Sequence, residues 1–277
     1  MKKSNLLKHS LSYLAISLGT SFAASTASAD LLEEVQERGV LNVGTEFHFA
    51  PFAYLDNGQQ SGLNLELMER VAEELEVSIN WIDLPWPSVL PGLEAGNYDF
   101  VAGPAMITQE RKLRYNFTLP IADATVAILK RADDDSIQTP EDISGKAAGG
   151  GRGTAQLEQL KAFAAELPEP PTITEYVDYS QTYADLAAGR IDAVANSLPN
   201  IAYTSTQRPM FEVVHPPFGQ PAYFGYMARN DEESASLVEA INEVLLSMHE
   251  DGSLAELQTK WFGEPMDVPS EDFEPEI

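Results

Sequence analysis

From Leu31 onward the chain switches repeatedly between a helical period and short apolar runs, and this alternation limits the fold more than any other feature. LLEEVQERG carries helical spacing and stops at Gly39, and VLNVGT reads as a buried strand. DNGQQSG is a turn, after which LNLELMERVAEELE places Leu65, Met68, Val71, Ala72 and Leu75 on one helical face. VSINWIDL is a strand, PSVLPGLEAG a short helix ended by Gly96, and YDFVAG a further strand. Strand, helix and strand in succession predict a parallel sheet.

A second unit of the same kind follows ATVAILKRADDD. There GKAAGGGRGT joins a strand to the helix AQLEQLKAFAAEL, YSQTYADLAAGR and IDAVANS repeat helix and strand, and FEVVHPPF adds a strand. AYFGYMAR then precedes one long amphipathic segment from Asp231 to about Trp261, with Leu237, Ile241, Leu245 and Met248 on its apolar side. No internal repeat or low-complexity linker separates the units. The expected fold is therefore α/β, with two lobes joined by strand-like crossovers.

The opening residues narrow the cellular setting. MKKSNLLKHS is basic, LSYLAISLG is apolar but too short to span a bilayer, and ASA precedes Asp30, which together predict an export signal over residues 1–29, cleaved after Ala29. Cysteine is absent, so disulfides, thiolate metal ligands and a cysteine nucleophile are excluded and stability rests on a packed core. Removing the leader takes away Lys2, Lys3 and Lys8 and leaves 14 basic against 43 acidic residues, a formal −29. Such a surface repels phosphate backbones and anionic lipid, so nucleic acid is not an expected partner. A solvated acidic surface of this kind suits a salty habitat. The closing stretch EPMDVPSEDFEPEI, acidic and broken by proline, is expected to be a loose tail.

Six stretches in order resemble the solute-binding proteins of amino-acid-type ABC transporters, the polar amino acid family: VGTEFHFAPFAYLDNGQQSGLNLELMERVAEEL, LPWPSVLPGLEAGNYDF, MITQERKLRYNFTLPI, GGGRGT, LAAGRIDAV and DGSLAELQTKWFG. The resemblance implies the two-lobed type II periplasmic binding fold, each lobe a mostly parallel sheet flanked by helices, with two hinge crossovers. It makes residues 30–122 and 224–277 one lobe and 123–223 the other. It implies a monomeric periplasmic receptor that closes over one small zwitterion and delivers it to an inner-membrane ABC permease, without catalytic residues, cofactor or metal.

The resemblance also nominates a site. Arg111 in MITQERKLRY stands where the family places a carboxylate-binding arginine, whose rigid donor fork matches a carboxylate in two bonds; Lys112 and Arg114 read as surface charges. GGGRGT opens a helix and lacks the lysine and spacing of a nucleotide loop; by resemblance Thr154 and the amide of Ala155 close on the ligand from the second lobe. TEFHFAPFAY crowds one acid and four rings at a strand end, where a core strand has no use for Glu46. Phe49 and Trp86 fall at the family's pocket walls, and two rings with Glu46 suit a cation. Phe47, Phe52 and Tyr54 read as core or lobe-edge rings.

Two departures bear on the ligand. Where many relatives carry an acid for the α-ammonium, this chain has Ala195, Asn196 and Ser197; where many carry a hydroxyl, GPAM brings Gly103, Ala105 and Met106. An unpaired ammonium in a closed cleft is costly, so either Glu46 takes the cation or the ligand has no free α-ammonium. Ectoine or hydroxyectoine is the favoured single candidate, and TEFHFAPF with LPWPSVLPGLEA looks like ectoine-binding members. Their third ring, near Ala105 or Met106, is missing. Other cationic or polar amino-acid derivatives are the alternative ligands. The rival from another class is a periplasmic cyclohexadienyl dehydratase on the same fold; but no acid–base pair is visible beside Glu46, and His48, His215 and His249 are far apart in sequence, without metal-ligand spacing.

Overall fold

The computed structural model describes residues 30–277; the leader assigned to residues 1–29 lies outside the described residues. Strands Ser78–Asp83, Val40–Thr45 and Phe100–Met106 lie side by side in parallel, with Val40–Thr45 in the middle. Tyr223–Arg229 then adds antiparallel to Phe100–Met106, and Tyr115–Phe117 antiparallel to it. The second sheet repeats the plan. Thr172–Tyr176, Ala147–Gly151 and Ala193–Ser197 are parallel, and Val126–Arg131 and Phe211–Val214 follow antiparallel.

Both sheets are thus mixed in one place only: Tyr223–Arg229 in the first and Val126–Arg131 in the second run against the shared direction of the other strands. A parallel neighbour needs a long crossover, usually a helix, whereas the strands that connect the lobes run straight from one sheet toward the other and enter with reversed direction. The chain leaves the first sheet at Ala122–Asp123, which pairs with Tyr223–Phe224. The outgoing and returning passages touch where the Ala124 N–H donates to Ala222 O at 2.7 Å.

Two helices show how sequence period and actual packing diverge. In Leu63–Glu74 the buried face is Leu63, Leu67, Met68 and Val71; Leu65 and Ala72, expected there, are only half-buried. The register moves because the helix starts against the hairpin His48–Phe49/Ala53–Asp56: the N–H groups of Leu63 and Asn64 donate to Pro51 O and Phe52 O, satisfying first-turn donors that a helix leaves open. Gly62 permits that approach, with φ +133° and a Cβ position that would overlap Phe52 O. The segment after Asp231 is two helices, Glu232–Asp251 and Ser253–Phe262, broken at Gly252 with φ +83°. Leu237, Ile241, Leu245 and Met248 are all buried as the period predicts.

Inside the first lobe, Asn64 is fully buried and fully engaged. It donates to Ala102 O at 2.7 Å and accepts from the Tyr226 hydroxyl at 2.9 Å, so helix, central strand and returning strand are tied by one polar network. The closing stretch is not loose. Val268 and Pro275 are buried, the Phe273 ring meets Tyr223 edge-on at 5.3 Å, and Lys112 pairs with Asp272 at 2.9 Å. Gln109 donates from its backbone to Ile277 O and from its side chain to Pro275 O. Without periodic structure, the segment is held by apolar anchors that its acidic composition hides.

Candidate functional site

The strand Val40–Thr45 ends at the junction of the lobes, and two bonds fix the course of the residues after it. Leu84 N–H donates to Thr45 O and Phe47 N–H to Asp83 Oδ1, while the Phe47 ring packs edge-on against Trp81 at 6.1 Å. With Phe47 turned to the core, Glu46 faces the cleft between the lobes. It is 6% exposed, and its Oε1 has no hydrogen-bond partner among the described residues. Burial, then the charge of Asp178 and, more weakly, of Asp83, pushes its carboxyl up to about 8, against the pull of the Trp86 backbone N–H. At neutral pH the side chain in this closed cleft is mostly protonated, and a ligand cation beside it would restore its charge.

The other walls come from both lobes. Phe49 stacks on Phe52 at 5.7 Å and meets Phe224 at 5.8 Å, so one of its faces belongs to the core and another to the cleft. Trp86 opens the helix Trp86–Glu94 and is buried. Arg111 lies in the one-turn helix Gln109–Lys112, where the Thr108 hydroxyl accepts its backbone N–H at 3.2 Å. Its guanidinium donates to Met106 O at 3.0 Å and Gly153 O at 3.3 Å and sits 5.8 Å from the Trp86 ring. Among the described residues it has no carboxylate partner. Burial lowers it to about 10, which leaves it charged at neutral pH.

Gly103, Ala105 and Met106 form the cleft's floor with Pro104, and Thr154, Gln156 and Tyr179 close it from the second lobe. Thr154 caps the helix Ala155–Ala165: its hydroxyl accepts from Leu157 N–H and donates to Gly151 O. The lobes are in contact across the site. Trp86 Nε1 donates to Gly153 O at 3.1 Å, and Asn200 Nδ2 donates to Ala50 O at 2.8 Å. About 20 Å³ of free volume remains in the cleft that Arg111 and Glu46 line, room for one water.

Three nominated residues stand elsewhere. Ala155 lines a surface groove with Arg111, Gly153 and Thr154 rather than the cleft itself. Asn196 donates to the Tyr183 hydroxyl at 3.0 Å and accepts from Ser197 N–H, and it lines the neighbouring interlobe space rather than the Arg111 cleft. Ser197 donates to Ala124 O and accepts from Gln156 Nε2 at 3.0 Å, so it acts behind Gln156 and not at the cavity. Sequence reasoning missed Gln156 and Tyr179. Tyr179 begins the helix Tyr179–Ala187 directly after its cap Asp178, and its ring lies 5.9 Å from Phe49. Asp178 as a cap marks a helix start at Tyr179, but nothing local in the sequence turns that end toward the first lobe. Lys112 and Arg114 pair with Asp272 and Glu94, as surface charges do.

Residues 41–264 match the family model of bacterial extracellular solute-binding proteins, family 3. The L-cystine-binding protein TcyJ of Escherichia coli is 30% identical over 242 residues, covering 86% of this chain and 88% of that protein. The histidine-binding periplasmic protein of Salmonella typhimurium is 27% identical over 267 residues, covering 90% and 96%. Among solved structures, a mutant of the arginine-binding protein of T. maritima superposes with a TM-score of 0.77 at 27% identity, covering 84% of this chain and all of that one. An ancestral amino acid-binding protein, a precursor of cyclohexadienyl dehydratase, superposes with a TM-score of 0.75 at 29% identity, covering 84% and 100%. Matched over more than three quarters of its length and folded as these receptors are, the chain belongs to the bacterial extracellular solute-binding proteins, family 3.

Proposed function

We propose that the protein is the substrate-binding component of an amino-acid ABC importer, working in the periplasm as a monomer that hands its ligand to an inner-membrane permease. Its ligand is a zwitterionic amino acid or amino-acid derivative, captured as the two lobes close. One observation carries this reading. Arg111, without an acidic partner among the described residues, and Glu46, with a buried oxygen unpartnered among them, face one cleft together with Phe49, Trp86 and Tyr179. The arginine takes the carboxylate, and the acid and ring faces take the cation. Relatives named for cystine, histidine and arginine support an amino-acid head group.

A second reading is a compact ring zwitterion, ectoine or hydroxyectoine, and it is favoured by Tyr179. That ring comes from the lobe opposite Phe49 and Trp86 and supplies the third aromatic wall missing near Met106. Calorimetric titration of ligand-stripped protein with arginine, histidine, cystine, ectoine and hydroxyectoine separates the two. Binding abolished by Arg111→Ala is the expected result; undiminished binding in that variant refutes the carboxylate assignment. An enzyme is the weaker alternative, since the relatives matched over most of the chain are named as binding proteins. Turnover of prephenate or arogenate would overturn the receptor reading.

A further inference from the structure

On the far side of the Phe49–Tyr179 ring pair lies a second interlobe cavity, of about 440 Å³, that shares both rings with the Arg111 compartment. Its volume is in the range of small-molecule pockets, roughly 300–1,000 Å³, while the Arg111 compartment offers about 20 Å³. Its walls are Tyr54 on the first-lobe hairpin and Tyr183, Asn200, Tyr203 and Arg208 on the second lobe. The hydroxyls of Tyr203 and Tyr54 meet across the lobes at 3.2 Å, so this space, like the first, is formed by closure.

The polar groups here repeat the chemistry of the first compartment. Asn200 is 1% exposed, and with its Nδ2 committed to Ala50 O its Oδ1 is left without a partner among the described residues, an acceptor for an ammonium. Arg208, at the end of the helix Leu198–Gln207, makes no ion pair among the described residues of a strongly acidic chain. Asp56 on the same rim accepts from Asn57 instead. A free guanidinium, a buried acceptor and flat tyrosine walls suit a second carboxylate and ammonium at the end of a chain.

We infer that the natural ligand is an elongated, two-ended amino acid: one zwitterionic end rests on Arg111 and Glu46, the chain passes the waist formed by Phe49 and Tyr179, and the far end lies against Arg208 and Asn200. This rests on the proposed role of the Arg111 cleft and extends it from a head group to a whole molecule. The test uses matched probes that differ only at the far end: 2,6-diaminopimelate against L-lysine, and L-cystathionine against L-methionine. Each is titrated calorimetrically into wild type, Arg208→Gln and Arg111→Ala, with melting curves to check the fold. In at least one pair the two-ended probe should bind tenfold or more tighter than its one-ended partner, and Arg208→Gln should erase that difference without changing the one-ended affinity. The inference is overturned if no two-ended probe binds, if the partners bind alike, or if Arg208→Gln leaves the difference intact. Partners that bind alike and lose binding in Arg111→Ala leave the cleft reading standing; binding that survives Arg111→Ala removes that reading instead.

Discussion

Replacing Glu46 by Gln isolates the electrostatic cost of the cleft. In the closed protein the carboxyl titrates at about 8 against an ordinary 4.5. The folded state therefore keeps a proton that the unfolded chain releases above pH 4.5. Wild-type stability falls as pH rises from there and levels off above about 8, where the side chain is charged in both states. At 1.36 kcal/mol per pH unit the loss is bounded at about 5 kcal/mol. The lobes can part and let water reach the carboxylate, so the realised loss stops at the free energy of opening. A loss of about 1 kcal/mol corresponds to roughly 2–4 °C in a chain of this size.

Glu46→Gln retains shape and hydrogen bonding but lacks this titration. Differential scanning calorimetry without ligand should find variant and wild type alike at pH 5, and the variant at least 2–4 °C more stable at pH 8.5. With a cationic ligand the order reverses, and the variant should bind roughly ten- to a hundredfold more weakly, or about 1.4–2.8 kcal/mol. A melting difference that does not change between pH 5 and pH 8.5 would show that Glu46 is solvated, and the proposed cation site would fall with it.

Other substitutions test separate parts of the site. Arg111→Ala should weaken carboxylate ligands by about 2–5 kcal/mol while leaving the melting temperature within a few degrees, as read by calorimetry. Trp86→Phe keeps a ring but loses the indole bond to Gly153 O; small-angle scattering without ligand should show a larger radius of gyration, the closed form losing about 1 kcal/mol. Saturating ligand should shrink the wild-type radius, and an unchanged profile would count against hinge closure. Deleting residues 264–277 uncovers Tyr223 and frees Lys112 and should lower the melting temperature by several degrees; an unaltered melt would mean that the docked segment adds nothing to stability.

How much of the fold and the site is legible in the sequence depends on the distance over which each feature is decided. Strands and helices are local, and the changes of period around Gly39, Gly96 and the GGGRGT turn locate them. The run after Asp231 reads as continuous because Gly252 is a weak signal inside a strong period, and its left-handed backbone is visible only in the fold. Glu46, Phe49, Trp86, Arg111 and Thr154 stand out through motifs, and the structure brings them to one cleft. Tyr179 and Gln156 do not, because their approach to the first lobe is a matter of closure, which no spacing along the chain encodes. Asn196 and Ser197 are expected from sequence to line the cavity; Asn196, bonded to the Tyr183 hydroxyl, lines the larger interlobe space rather than the Arg111 cleft, and the carbonyl of Ala124 holds Ser197 behind Gln156.

The indole bond between Trp86 and Gly153 also gives the molecule an optical reporter of its own state. Of the three tryptophans, Trp81 is held against Phe47 and Trp261 against Tyr54, whereas the N–H of Trp86 reaches the opposite lobe and its ring lies beside a guanidinium. When the cleft opens, that indole exchanges a carbonyl and a neighbouring cation for water, and its emission should move to longer wavelength. Capture and release can therefore be followed by intrinsic fluorescence in stopped flow, without attaching a dye, and Trp86→Phe supplies the dark control.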